Sequence, residues 1–452
     1  MSVTTALASS EPDGIGPPVV AAPRPSAPPR LPRLPLLMMF GLVPLWWLAG
    51  AFYLFWPLFG ATLLALLIVR GRVPLPPATG TWLLFLALVV LSATQLPAPA
   101  SLLPFGLRVG YYLTALVVAV YVYVYARERG DVAAALVPIC LFWFGLVALG
   151  WLGVLAPRFA LTTPVEVLLP GGMSSHPYMQ DLVHISATEY SKVALDPIYR
   201  PAAPFPYTNN YGGAYAMTLP CIVAFTMLRR RGILRWALLV SLPLSLVPAF
   251  LTLNRTMFAS LGVGLAVLGV RAAVRGNVRV GASVVGVLLI GGLTTLLIPV
   301  AELINNRVES TDTNTDRYSL YAEVIRRIGD SPWLGYGAPV TVDTVTAEVP
   351  VGTQGQLWTV LFSHGIPALL CFLAWFVIIT LKSARARSAP GQWLAVVPVI
   401  CLVQIPFYGM ADPTITIAYF GAAAAMAIAE READPRRARP VHTGRRRKAV
   451  AG

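Results

Sequence analysis

The sequence predicts an all-α polytopic membrane protein with about 12 transmembrane helices. Three observations carry this reading. Of the 452 residues, 56% are hydrophobic and only 12% charged, too apolar for a soluble globule of ordinary composition. Apolar runs of the roughly 20 residues needed to cross a hydrocarbon core recur from Pro35 to Ala429 and leave no room for a separate soluble domain. Most arginines and lysines fall in the tails and in alternate connections, as the positive-inside rule requires of cytoplasmic segments.

Residues 1–35, rich in Pro, Ala and Ser, lack the charged start, short apolar core and cleavage site of a signal peptide. They are expected to form a disordered cytoplasmic tail. The membrane domain, 36–430, divides into spans at 36–51, 53–69, 80–96, 105–126, 132–156, 211–228, 233–252, 256–270, 280–300, 353–380, 393–409 and 414–430. The first two form one apolar run, Leu36 to Val69, broken only by Pro44, Gly50 and Pro57. Charge decides for a hairpin over a single tilted span. With both termini cytoplasmic, the connections at Arg70 to Arg72, Arg127 to Arg129, Arg229 to Arg235, Arg271 to Arg279 and Lys382 to Arg387 all fall inside only after an even number of crossings before Arg70. The other side then holds short connections near Pro97 and Met410, a tight turn at Asn254, and two long loops, 157–210 and 301–352. In a bacterial cytoplasmic membrane that side is extracytoplasmic. Loops of about fifty residues exceed ordinary connections several-fold, which points to a function. Residues 431–452 read as a basic, disordered cytoplasmic tail drawn to anionic lipid.

The formal charge of +14 does not call for nucleic acid, because the arginines set topology. Cys140, Cys221, Cys371 and Cys401 lie in apolar runs, so neither a disulfide framework nor a metal site of cysteine spacing is expected. DTNTD, Asp312 to Asp316, lacks the glycine and late glutamate of a calcium loop and reads as a helix cap.

The stretch DRYSLYAEVIRRIGDSPWLGYG, Asp316 to Gly337, is the charged exception in the second long loop. At about 100° per residue, Leu320, Tyr321, Val324 and Ile328 fall within about 60° of Arg317, while Arg326 lies opposite. Arg317 is thus centred in the apolar stripe of an amphipathic helix, which Gly329 and Pro332 end. Such a helix lies along the membrane surface or over the bundle. A cation near hydrocarbon is costly and marks a functional site or a buried partner. On the outer side Arg108 and Arg255 break the charge rule in short connections, and the long loops hold Arg158, Lys192, Arg200, Arg307, Arg317, Arg326 and Arg327. Arg255 and Arg317 weigh most. Arg200 sits in a Pro-rich loop where a solvated charge costs little, and Arg326 and Arg327 ordinarily belong to a solvated face. Guanidinium forks gathered at one surface suit phosphate oxygens, and a lipid diphosphate fits that description.

These residues resemble a known family. RPAAPFPYTNNYGGAYAMTLP, Arg200 to Pro220, resembles the signature of the O-antigen ligase and polymerase superfamily, in which an Arg, a Phe and an Asn lead into a span, here Arg200, Phe205 and Asn209. LTLNRT resembles its Ser-Arg element, with Arg255 at the arginine and Asn254 at the serine. The stretch from Asp316 resembles its outer-loop pattern of Arg, amphipathic helix and Pro-x-x-Gly-x-Gly, matched by Arg317, Pro332, Gly335 and Gly337. The resemblance covers roughly Arg200 to Leu381.

It implies a metal-independent membrane glycosyltransferase that needs no cofactor. Such an enzyme moves a glycan from a polyprenyl-diphosphate donor to an acceptor sugar or lipid at the outer face of the cytoplasmic membrane. Arg255 and Arg317, with Arg200 and Asn209, would hold the donor, and a family histidine would act on the acceptor hydroxyl. Gln354 stands at that histidine's position in GTQGQLWTVLFSHG, and a neutral amide cannot serve as a general base near pH 7. Arg326 and His364 complete the substrate-binding candidates. His364 lies ten residues on, about three turns down the same expected helix, where packing is its ordinary role. His176, His184, Asp181, Asp196, Glu323, Asp343 and the departing diphosphate all stay open as proton acceptors. The competing class is a multi-span transporter or lipid-linked glycan flippase, which shares the layout of even spans with both termini inside. The scarcity of ionisable residues near span centres speaks against it.

Overall fold

The computed structural model describes residues 30–171, 177–190, 197–297, 313–343 and 348–433. Two short helices, α1 (Leu34–Gly41) and α2 (Val43–Leu48), lead into α3 (Phe52–Arg70), α4 (Thr79–Leu91), α5 (Leu102–Arg129) and α6 (Val132–Leu155). The first expected span is therefore a broken pair, because Pro44 at the start of α2 has no N–H to continue the ladder from α1. The first long loop carries α7 (Pro164–Leu168) and α8 (Pro177–Val183). It also holds two small antiparallel pairs, β1 (Ala160–Leu161) with β2 (Ile185–Ser186) and β3 (Thr188–Glu189) with β4 (Arg200–Pro201).

Next come α9 (Thr208–Leu228), α10 (Ile233–Leu251), α11 (Arg255–Arg275) and α12 (Val278–Leu297). The second long loop supplies α13 (Thr313–Ile328) and a hairpin of β5 (Val340–Asp343) and β6 (Glu348–Val351). The chain closes with α14 (Gln356–Ser383), α15 (Ala389–Leu394), α16 (Val397–Gln404) and α17 (Pro413–Ala433).

Eight described helices are long and apolar enough to cross a membrane: α3, α5, α6, α9, α10, α11, α14 and α17. The spans expected at 80–96, 280–300 and 393–409 fall on shorter apolar helices, Thr79–Gln95, Val278–Ile290 and Ala389–Gln404. This is a multi-pass membrane architecture. α5, α6, α9 and α17 are mostly buried, whereas α3, α10, α11 and α14 bury only about a third of their apolar windows. The outward side chains of α10 and α11, among them Trp236, Val240, Val263 and Val270, are exposed yet apolar, as a lipid-facing surface demands. Small residues let the inner helices approach closely: α17, in which Ala422 to Ala425 are all buried, packs against α5. Trp375 of α14 stacks on Tyr419 of α17 with ring centroids 3.7 Å apart.

The starts of α5, α9, α11, α14 and α17 share one end of the bundle with both long loops, and arginines gather at the other. There Arg70 pairs with Glu128 at 2.7 Å and Arg229 with Asp131. α13 lies over α14 with its apolar stripe turned inward, so that Leu320 and Val324 are buried against Val351 and Phe362.

α14 is broken at Gly365, whose φ is +82°. The break frees two carbonyls: Ile366 donates to Pro332 O instead of into the helix, and Pro367 has no N–H to offer Ser363. Tyr336 N and Gly337 N fill the gap, donating to Phe362 O at 2.9 Å and Ser363 O at 2.8 Å. Gly335 has φ +63°, and a Cβ there would stand 2.4 Å from Phe362 O. The Pro-x-x-Gly-x-Gly segment is therefore a clasp that satisfies the backbone of an interrupted helix.

Candidate functional site

A cavity of about 480 Å³ opens at the loop end, where the starts of α9, α14 and α17 meet the first turns of α5. Its wall includes Arg108 and Tyr111 of α5, Asp181 of α8, Asn209 and Asn210 of α9, Gln354, Gln356, and Asp412 just before α17. The leading N–H groups of these helices are already taken, Thr208 N by Glu189, Gln356 N by Tyr408 O and Thr414 N by Asp412, so the helix starts bring the cavity only the positive ends of their dipoles.

The wall is built from the chain upward. Thr208, the first residue of α9, donates through N and Oγ1 to Glu189 Oε2 at 2.6 and 2.7 Å, and Arg200 pairs with Glu189 Oε1 at 2.8 Å. Arg200 thus stands outside the cavity and braces the carboxylate that caps α9. Asn209 does line it. Asn254 Nδ2 donates to Thr208 O at 3.1 Å and reaches Asn209 Oδ1 at 3.4 Å, while its own Oδ1 caps α11 by accepting from Met257 N. Arg255 follows as the exposed first residue of α11 and does not line the cavity.

The start of α14 is fixed by Gln356, whose Nε2 donates to Tyr112 Oη at 2.7 Å and whose Oε1 accepts from Met410 N at 2.7 Å. Asn210 Nδ2 donates to Gly409 O and to Asp412 Oδ2, and Thr414 N donates to Asp412 Oδ1 at 2.7 Å. Asp412 is half-buried. Burial pushes its carboxyl up to about 6, against the opposing pull of the hydrogen bonds from Thr414 and Asn210. Asp181, the second carboxylate on the wall, is exposed and accepts from Tyr207 Oη at 2.8 Å. Arg108 is half-buried, and its Nη1 is buried with no hydrogen-bond partner among the described residues.

Gln354 lines the cavity two residues before α14 begins. It is not on one continuous helix with His364, as the spacing had suggested, because the chain enters α14 only at Gln356. His364 is 1% exposed, with Nδ1 2.7 Å from Ser92 Oγ and its ring between those of Phe105 and Tyr112. That is a packing position behind the wall. Arg326 is 68% exposed and pairs with Glu323, which also accepts from Arg327. The two guanidinium groups hold the Glu323 carboxyl down to about 2. His184 pairs with Glu166 at 3.0 Å, away from this cavity. Arg317 belongs to α13, and its side chain lies outside the described residues, as does that of Asp343; His176, Asp196, Lys192 and Arg307 lie outside them altogether. Among the described residues no three His, Cys, Asp or Glu side chains gather as a metal site.

Two charged wall residues, Arg108 and Asp412, were not among the sequence-derived site residues. Arg108 carried a signal, since it breaks the charge rule on the loop side. Asp412 carried a fainter one, a lone acid in a short connection next to an apolar run. No curated protein matches the chain. Residues 240–373, which include Arg255, Arg317, Gln354 and His364, match the family model described as O-antigen ligase, in support of the superfamily that the motifs resemble.

Proposed function

We propose that the protein is a membrane glycosyltransferase of the O-antigen ligase and polymerase type. It transfers a glycan from a polyprenyl-diphosphate donor to an acceptor sugar or lipid at the outer face of a bacterial cytoplasmic membrane. The observation that carries this reading is Arg108 on the wall of a cavity where helix starts converge, its Nη1 buried with no hydrogen-bond partner among the described residues. A cationic donor left without a protein acceptor in such a place suits an anionic ligand. The apolar sides of the peripheral helices suit the polyprenyl tail.

The acceptor oxygen attacks the anomeric carbon as the bond to the diphosphate breaks. Negative charge builds on the leaving group, and Arg108 stabilises it. Arg255, adjoining Asn254 beside the wall, and Arg317, on the helix clasped over α14, are assigned to the donor's outer phosphate. Arg255→Ala or Arg317→Ala is expected to lower transfer at least about tenfold at normal protein abundance, the loss of one charge-assisted contact.

A purified-protein assay tests the function itself. Lipid-linked glycan and acceptor should yield an extended glycan and free polyprenyl diphosphate. A protein that moves the donor across vesicles and leaves its covalent structure intact would be a carrier, and the reading would fall. In cells, deletion should cause lipid-linked glycan to accumulate, and its mass would name the donor.

A further inference from the structure

We infer that Asp412 accepts the proton of the acceptor hydroxyl, supplying the base that Gln354 cannot. This rests on the glycosyl-transfer reading above and adds a catalytic residue to it. The cavity wall offers few candidates. Gln354, Gln356, Asn209 and Asn210 are neutral amides, Arg108 has no lone pair to offer, and the phenols of Tyr53, Tyr111 and Tyr207 are too weakly acidic to be ionised near neutrality. Among the described residues two carboxylates remain, Asp181 and Asp412.

Geometry separates them. Asp181 is exposed on α8, within the long first loop. Asp412 is half-buried between α9 and α17, with Asn210 donating to one oxygen and Thr414 N to the other. A carboxylate offers about four lone-pair sites, so each oxygen keeps one for the cavity. The fixed orientation is what a general base needs. Burial raises the basicity of Asp412, yet leaves it ionised at pH 7. Among the described residues the other charged groups on the wall are Arg108 from α5 and Asp181 from α8.

The step balances. The acceptor oxygen bonds to the anomeric carbon while the carbon–oxygen bond to the diphosphate breaks and its electron pair leaves with the phosphate. The hydroxyl proton passes to Asp412, which later releases it to water.

The test is the pH dependence of transfer by purified wild type, Asp412→Asn and Asp412→Glu, each checked for melting temperature. Wild-type turnover should rise through about pH 6 and level above it, lying about tenfold lower at pH 5. Asp412→Asn should run at least about 100-fold below that plateau and lose the acidic limb. Asp412→Glu should keep part of the rate with the limb displaced. In Asp412→Ala, added formate should restore turnover in proportion to its concentration, an outcome a merely structural role would not give. A wild-type plateau in Asp412→Asn, or an unmoved limb near pH 6 in both Asn and Glu variants, would overturn the assignment while glycan transfer by wild type kept the enzyme reading intact. Absence of transfer by wild type would remove both.

Discussion

Replacing Arg108 by alanine is expected to lower glycan transfer about 100- to 1,000-fold, the usual cost of deleting one donor aimed at developing negative charge. The melting temperature should hold or rise. Nη1 of Arg108 is buried with no partner among the described residues, so the folded protein carries the cost of one buried N–H without an acceptor and loses no protein hydrogen bond from that atom when it is removed. Stability and activity should therefore move apart. Arg108→Lys keeps the charge but not the planar fork, and an intermediate rate is expected. Initial rates at saturating donor, with a thermal-shift measurement on the same preparations, check this. Wild-type turnover in Arg108→Ala would remove this residue from the chemistry.

The second large effect lies in the scaffold. Gly365→Ala is expected to destabilise by about 3 kcal/mol, combining a left-handed backbone for a residue with a side chain and overpacking against neighbouring backbone. The new Cβ would lie 2.5 Å from Trp333 C and O, atoms of the segment that clasps the broken helix, so relief requires the clasp itself to shift. Gly262→Ala in α11 is the control, since nothing lies within 4 Å of a Cβ there. Alanine is also the better helix former. Thermal melting in detergent should separate the two variants by several degrees, with Gly262→Ala at or above wild type. Equal melting of both would refute the clasp.

The sequence is most informative where one local rule acts alone. Long apolar runs marked the eight long helices, and the stripe through Leu320 and Val324 marked the buried face of α13. It was less informative where backbone chemistry interrupts a run. Pro44 splits the first span and Gly365 breaks α14, yet neither changes the hydropathy that suggested continuous helices. The site was hardest to read. Asn209 and Gln354 reached the cavity, but Arg200 proved to be bound to Glu189, because a carboxylate eleven residues away in sequence caps the same helix. Arg108 and Asp412 come together only through packing of segments some three hundred residues apart, and no local pattern records that.

The chamber at the loop end is small beside any polysaccharide. At about 480 Å³ it falls in the range of pockets for single small molecules, which under the proposed reading is room for the linkage to be broken and the hydroxyl to be joined, and little else. Under the proposed reading, a glycan of two repeats and one of twenty offer it the same chemical face. Product length would then be governed by how fast donors arrive and depart.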